Sequence, residues 1–253
     1  MNLETPGKLN PHQVPQLVMR SVENARTALE DGDADKAIKM MLSTDKLCCK
    51  VVAPPTVHGI ALRVLSDAYL KKGDTAEAKR ALERGLALCK VHDGKAGMPA
   101  FMAADLNGRM GDLLAALGEI NRGEGEHKLA VRHLRLAAER FLSMGQTDFT
   151  AATFNRIAVC LMEQGDHKQA LVELEESERL GAGAEHEAAL YSSTFLHRAN
   201  CLEATGDTAG AREAMSKALQ YALACGNDGA VEEAQAFLGK TQGASTVDQD
   251  AFL

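Results

Sequence analysis

The chain has 253 residues, 45% of them apolar and 25% charged, which is enough apolar material to bury a core and too much for a wholly disordered chain. Its formal charge of −7 and pI near 5.6 supply no general pull toward phosphate backbones, so nucleic acid is set aside as a partner. No apolar run reaches the roughly 18 residues that cross a bilayer, and the opening MNLETPGKLNPHQVP lacks the basic and apolar regions of an export signal; a cytoplasmic protein with no membrane partner and reduced thiols is expected.

Ala, Leu, Glu and Lys fill most segments, aromatics make up 4% and Trp is absent. Such side chains lose little rotamer freedom in a helix. Residues 1–15, with Pro6, Pro11 and Pro15, read as a disordered tail. Helices are expected next over 16–30, 34–49, 56–72, 75–91, 100–122, 126–143, 147–163, 167–180, 185–204 and 208–224, with a capping helix over 228–239. The stretch 240–253 reads as a second disordered tail, which leaves one helical repeat domain over 16–239.

Two of these helix junctions carry nearly the same text, GDTAEAKRAL at 73–82 and GDTAGAREAM at 206–215. They are two of five copies of one signal, Gly, then an acid, then Ala five residues after the Gly: Gly32, Asp33 and Ala37; Gly73, Asp74 and Ala78; Gly125, Glu126 and Ala130; Gly165, Asp166 and Ala170; Gly206, Asp207 and Ala211. The intervals are 41, 52, 40 and 41 residues. Each copy is expected to end one helix at the Gly, in a left-handed turn, and to start the next with the acid accepting its free amides. The 52-residue interval implies an insertion, VHDGKAGMPAF at 91–101, that should protrude.

The flanking residues resemble the tetratricopeptide repeat. The third unit has Leu114, Leu117, Gly118, Ala130, Leu134 and Ala137 at the matching spacing, and the fourth has Phe154, Ile157, Ala158, Leu161, Ala170 and Leu174. The second supplies Leu62, Leu65, Ser66, Tyr69, Ala78 and Leu82, and the fifth Phe195, Ala199, Leu202, Ala211, Met215 and Ala218. The period near 40 exceeds the roughly 34 residues usual in that family, and its Pro after the second helix is missing.

The resemblance implies an all-α, right-handed superhelical α-solenoid of about five hairpins plus the capping helix. It also implies a non-enzymatic scaffold or adaptor that holds a protein or peptide partner in a concave groove lined by the first helices. The inward positions it assigns are Arg63, Asp67, Glu119, Arg122, Asn155, Val159, Leu196 and Asn200, with Asn supplying hydrogen bonds to a peptide backbone. The Lys and Asn clamp by which some members hold acidic tails is incomplete here, because Glu119 intrudes. A peptide- or ligand-responsive sensor is the alternative reading.

No catalytic, metal or cofactor constellation stands out. The six cysteines form no CxxC; Cys160 and Cys201, like Cys48 and Cys89, are 41 apart and read as core packing, while Cys48 and Cys49 point to different sides of a helix. The histidines show no zinc spacing. Lys128, Arg132 and Arg135 share one helix face and read as solvated, and NRGEGEH at 121–127 reads as turn chemistry. The Met-rich GMPAFMA at 97–103 leaves self-association, a homo-oligomer, open.

Overall fold

The computed structural model describes residues 13–183 and 187–247, with side chains through residue 240. Among the described residues there are eleven helices and no strand: α1 (Val14–Glu30), α2 (Ala34–Val51), α3 (Pro55–Lys72), α4 (Thr75–Lys90), α5 (Ala100–Gly123), α6 (His127–Ser143), α7 (Thr147–Glu163), α8 (His167–Gly181), α9 (Glu187–Thr205), α10 (Thr208–Cys225) and α11 (Asp228–Val247). None of them is long and apolar enough to cross a membrane.

Two expectations at the ends are corrected. α1 begins at Val14, with Pro15 in its first turn, where the missing amide of Pro costs no intrahelical bond. α11 continues to Val247 instead of stopping at 239, since no Pro interrupts TQGASTV. Residues 1–12 and 248–253 of the two expected tails, and 184–186 at the expected start of α9, lie outside the described residues.

The repeat signal works as local chemistry. Gly73 and Gly206 have φ of 84° and 90°, a conformation that a Cβ would strain, and the amides of Asp74 and Asp207 then reach back to the carbonyls of Tyr69 and Leu202 at 2.9 Å each. The acid next caps the following helix: Asp33, Asp74, Asp166 and Asp207 accept from the amides of Lys36, Glu77, Gln169 and Gly210. Glu126, in the third copy, makes no such bond.

The described residues form two compact units, the first ending at Gly123 and the second beginning at Glu124. α5 packs on α3 and α4 in the first, and α6 packs on α7 in the second.

In the first unit α1 offers a stripe of Val14, Val18, Val22, Ala25 and Ala28, spaced three and four apart, to α2 and α3. Met41 and Leu62 fill this core with no exposure. Full burial of a side chain such as Leu62 contributes about 1.5–3 kcal/mol. α4 comes close to α5 at Gly85, where an added Cβ would lie 3.2 Å from the Leu113 methyls. Residues 91–99 join α4 to α5, with Val91 and, just beyond, Phe101 exposed.

In the second unit the small pairs Ala158 with Ala170 and Ala199 with Ala211 are completely buried, which lets α7 meet α8 and α9 meet α10 closely. Tyr191, Phe195 and Tyr221 fill the α9–α10 seam, the last two stacked at 5.7 Å. α11 lays Ala234, Phe237 and Leu238 on that cluster. Cys48, Cys89, Cys160 and Cys201, which keep the period, are buried, whereas Cys49 and Cys225, which break it, are exposed. Burial pushes the thiols of Cys48, Cys89 and Cys201 up to about 11, so they act as small apolar side chains.

Candidate partner-binding face

The first helices of successive hairpins pack on one another inside each unit, α1 with α3 and α3 with α5 in the first, α7 with α9 and α9 with α11 in the second. These layers carry all eight residues that the sequence singles out, four in each unit.

In the first unit, Arg63 pairs with Asp67 one turn along α3, both about a third exposed. Arg122 lies 3.2 Å from Glu119 on α5. Between these pairs Arg109 donates to Asp112 at 2.8 Å. Burial raises the Asp112 carboxyl above its ordinary range, and Arg109 and Arg63 pull it only part of the way back. Arg63 thus acts on both α3 and α5. Half-exposed ion pairs of this kind are worth about 0–1 kcal/mol each.

The second unit is built differently. Asn155 on α7 is buried, and its carboxamide is spent inside the protein: Nδ2 donates to Thr194 Oγ1 at 2.9 Å and Ser193 Oγ at 3.1 Å, and Oδ1 accepts from His197 Nδ1 at 2.7 Å. Thr194 in turn donates a hydrogen bond to the Leu190 carbonyl, and Ser177 on α8 donates to the Ala151 carbonyl at 2.9 Å while lying 3.3 Å from Thr194. The network ties α7, α8 and α9 together. Asn155 therefore positions α9 through its carboxamide. Sequence spacing places a residue on a face, and it cannot tell which neighbour will consume its hydrogen bonds.

Val159, Leu196 and Asn200 remain half-buried on the α7–α9 layer. His197 joins them, one residue from Leu196, and the sequence offered no signal for it beyond that adjacency. Because an amide oxygen only accepts, the bond to Asn155 fixes the ring proton on Nδ1. Burial holds His197 below its ordinary 6.5, so it is a neutral ring whose Nε2 is an acceptor.

Of the basic residues expected to share a solvated face, Lys128 and Arg132 are exposed. Arg135 is exposed as well, and its guanidinium donates at 2.6 Å to the buried Glu173 on α8, which Gln169 also binds.

Residues 64–92, spanning the end of α3 and all of α4, match the tetratricopeptide repeat family model. The chain carries a tetratricopeptide repeat, and its fold is that of tetratricopeptide-repeat proteins. Solved structures with the same all-α solenoid architecture include a kinesin light chain-like protein of Podosopora anserina with nearly identical TPR-like repeats (TM-score 0.62, 17% identity, covering 90% of this chain and 97% of that one). Aspartyl phosphate phosphatase F from Bacillus subtilis is similar at TM-score 0.72 and 13% identity, over 93% of this chain and 60% of the phosphatase. YrrB, a TPR protein with an unusual peptide-binding site, is similar at TM-score 0.51 and 18% identity, over 79% of this chain and 84% of its own. No curated protein matches the chain in sequence.

Proposed function

We propose that this chain is a non-catalytic interaction module that binds a segment of a partner protein on the α7–α9 layer of its second unit. Tetratricopeptide-repeat proteins generally bind protein or peptide partners, and YrrB does so at a peptide site on a similar fold. The observation that carries the reading is the division of labour on that layer. Asn155 and Thr194 lock α7 to α9, so the surface is preorganised, while Asn200 keeps its amide and Val159 and Leu196 keep part of their apolar surface for a ligand. Asn200 is suited to bind a backbone amide of an extended segment, and the two apolar side chains to flank one of its side chains.

Panning a random peptide display library on the full chain, then measuring the enriched peptides by fluorescence anisotropy, tests this. Leu196→Glu and Asn200→Ala are each expected to weaken the best peptide by about tenfold, the loss of one well-formed contact. Binding unchanged in both variants would move the interface elsewhere.

A further inference from the structure

Near the C-terminal end of α2 and the start of α3, three side chains with metal-ligand chemistry meet. Asp45 and Cys49 stand one turn apart on α2 and so share a face. His58 is in the first turn of α3, brought back by the three-residue connection 52–54. A carboxylate oxygen of Asp45, the thiol sulfur of Cys49 and a ring nitrogen of His58 all lie within 4.8 Å of one another. Asp45 and His58 are buried, while Cys49 is exposed, so the group opens to solvent on its thiol side.

We propose that Asp45, Cys49 and His58 form a site for one divalent transition-metal ion of the Zn2+ type, with its fourth position facing solvent. One oxygen, one sulfur and one imidazole nitrogen make a donor set of borderline softness that suits Zn2+, whereas Mg2+ and Ca2+ call for oxygen alone. Two of the ligands are already paired, His58 Nε2 lying 2.7 Å from Asp45 Oδ1. A cation takes the place of the proton in that bond. The Nε2 proton passes to Nδ1 or to solvent, the Cys49 thiol releases its proton to solvent, and both lone pairs turn to the metal. Tetrahedral bonds of about 2.0–2.3 Å set donor atoms roughly 3.3–3.7 Å apart, so the His58–Asp45 pair opens slightly from 2.7 Å while the thiol closes in from within 4.8 Å. Cys49, exposed and on the rim, is the one free to swing in.

Arg84 of α4 fits the scheme as an outer partner. It donates to Asp45 Oδ2 at 3.1 Å and to Oδ1 at 2.9 Å, and its side chain is half exposed. On metal binding it keeps Oδ2 and yields Oδ1, holding the carboxylate as metal-ligating carboxylates commonly are held. Carboxylate and thiolate together balance the two charges of the ion.

Co2+ titration of the full chain, stripped with chelator and kept reduced, reads the site directly. One equivalent of Co2+ is expected to produce thiolate-to-metal charge-transfer absorption and the intense visible bands of a four-coordinate ion, and Zn2+ should displace both. Cys49→Ser is expected to abolish the charge-transfer band and weaken Zn2+ by about tenfold or more, and His58→Gln to weaken it similarly. Cys225→Ser, which removes the other exposed thiol, should change nothing. Absence of the band in the wild type, or its survival in Cys49→Ser with circular dichroism unchanged, overturns the site and leaves Asp45, His58 and Arg84 as a purely structural network. The readout needs no partner, so its failure is separate from failure of the peptide-binding face.

Discussion

Arg84 donates through both terminal nitrogens to the carboxylate of Asp45, 39 residues earlier in the chain. The same stride recurs in the second unit, where Arg135 reaches Glu173 across 38 residues and Asn155 reaches Thr194 across 39. Each bond joins equivalent helices of neighbouring hairpins, so the polar seams follow the period written in the glycines. Burial alone would raise the Asp45 carboxyl, yet hydrogen bonds and charge from Arg84 and His58 outweigh it and hold it below its ordinary range. Arg84→Ala removes one partner of a buried carboxylate while leaving His58. It is expected to cost about 1–3 kcal/mol in urea unfolding of the metal-free protein. A cost indistinguishable from that of Arg80→Ala, an exposed arginine on the same helix, would mean that the fork adds nothing.

Asn155 and Asn200, one on each helix of the α7–α9 layer, should fail in opposite ways. Asn155→Ala leaves the Thr194 hydroxyl and the His197 ring without their partner in a buried seam, a loss of about 1–3 kcal/mol of stability. Asn200→Ala is expected to leave the urea midpoint within about 0.5 kcal/mol and to act on peptide affinity alone. Equal stabilities for the two variants would contradict the assignment of Asn155 as a positioning residue.

The contrast shows how far the sequence carries. Helix ends were legible because Gly73, Asp74 and their counterparts act within one turn, and all but the end of α11 fall within two residues of expectation. Buried Ala158 and Ala199 were legible because the repeat places them identically. The fate of Asn155 was not, since Thr194 and His197 lie a full repeat away. Asp45, Cys49 and His58 were invisible for a related reason: two helices and a chain reversal bring them together, and no linear spacing records it.

Val52 is the sole non-glycine with positive φ among the described residues, at 49°, where it caps α2 and sits 87% exposed. A β-branched side chain in the left-handed region costs roughly 1–2 kcal/mol. Val52→Asn keeps a side chain and tolerates that conformation, so a gain of about 1 kcal/mol is expected, or about 2–4 °C in the melting midpoint. A lower midpoint would show that Val52 packs more usefully than its exposure indicates.

Ser66 Oγ is buried with no hydrogen-bond partner, on the face of α3 where the repeat asks for a small residue. Ser66→Ala keeps the small volume and removes the desolvated hydroxyl. Stability is expected to stay level or rise by about 1–2 kcal/mol, which chemical denaturation can measure. A loss beyond about 1 kcal/mol would reveal a partner for the hydroxyl.

His197 makes stability depend on pH with a definite sign. Burial depresses its folded-state affinity for a proton below the ordinary value of 6.5, whereas the unfolded chain titrates near that value. As pH falls through the ordinary value the unfolded state binds the proton first, so stability declines, and the decline ends once the folded ring also titrates. Above the ordinary value the ring is neutral in both states and the contribution is complete. His197→Gln retains an N–H able to reach Asn155 Oδ1 and removes the titration. Urea midpoints of wild type and variant, followed from about pH 7.5 down to about pH 5, should therefore diverge, the wild type falling more steeply. Parallel slopes would place the acid sensitivity in other groups, and a wild-type midpoint that rises on acidification would reverse the sign argued from the buried seam.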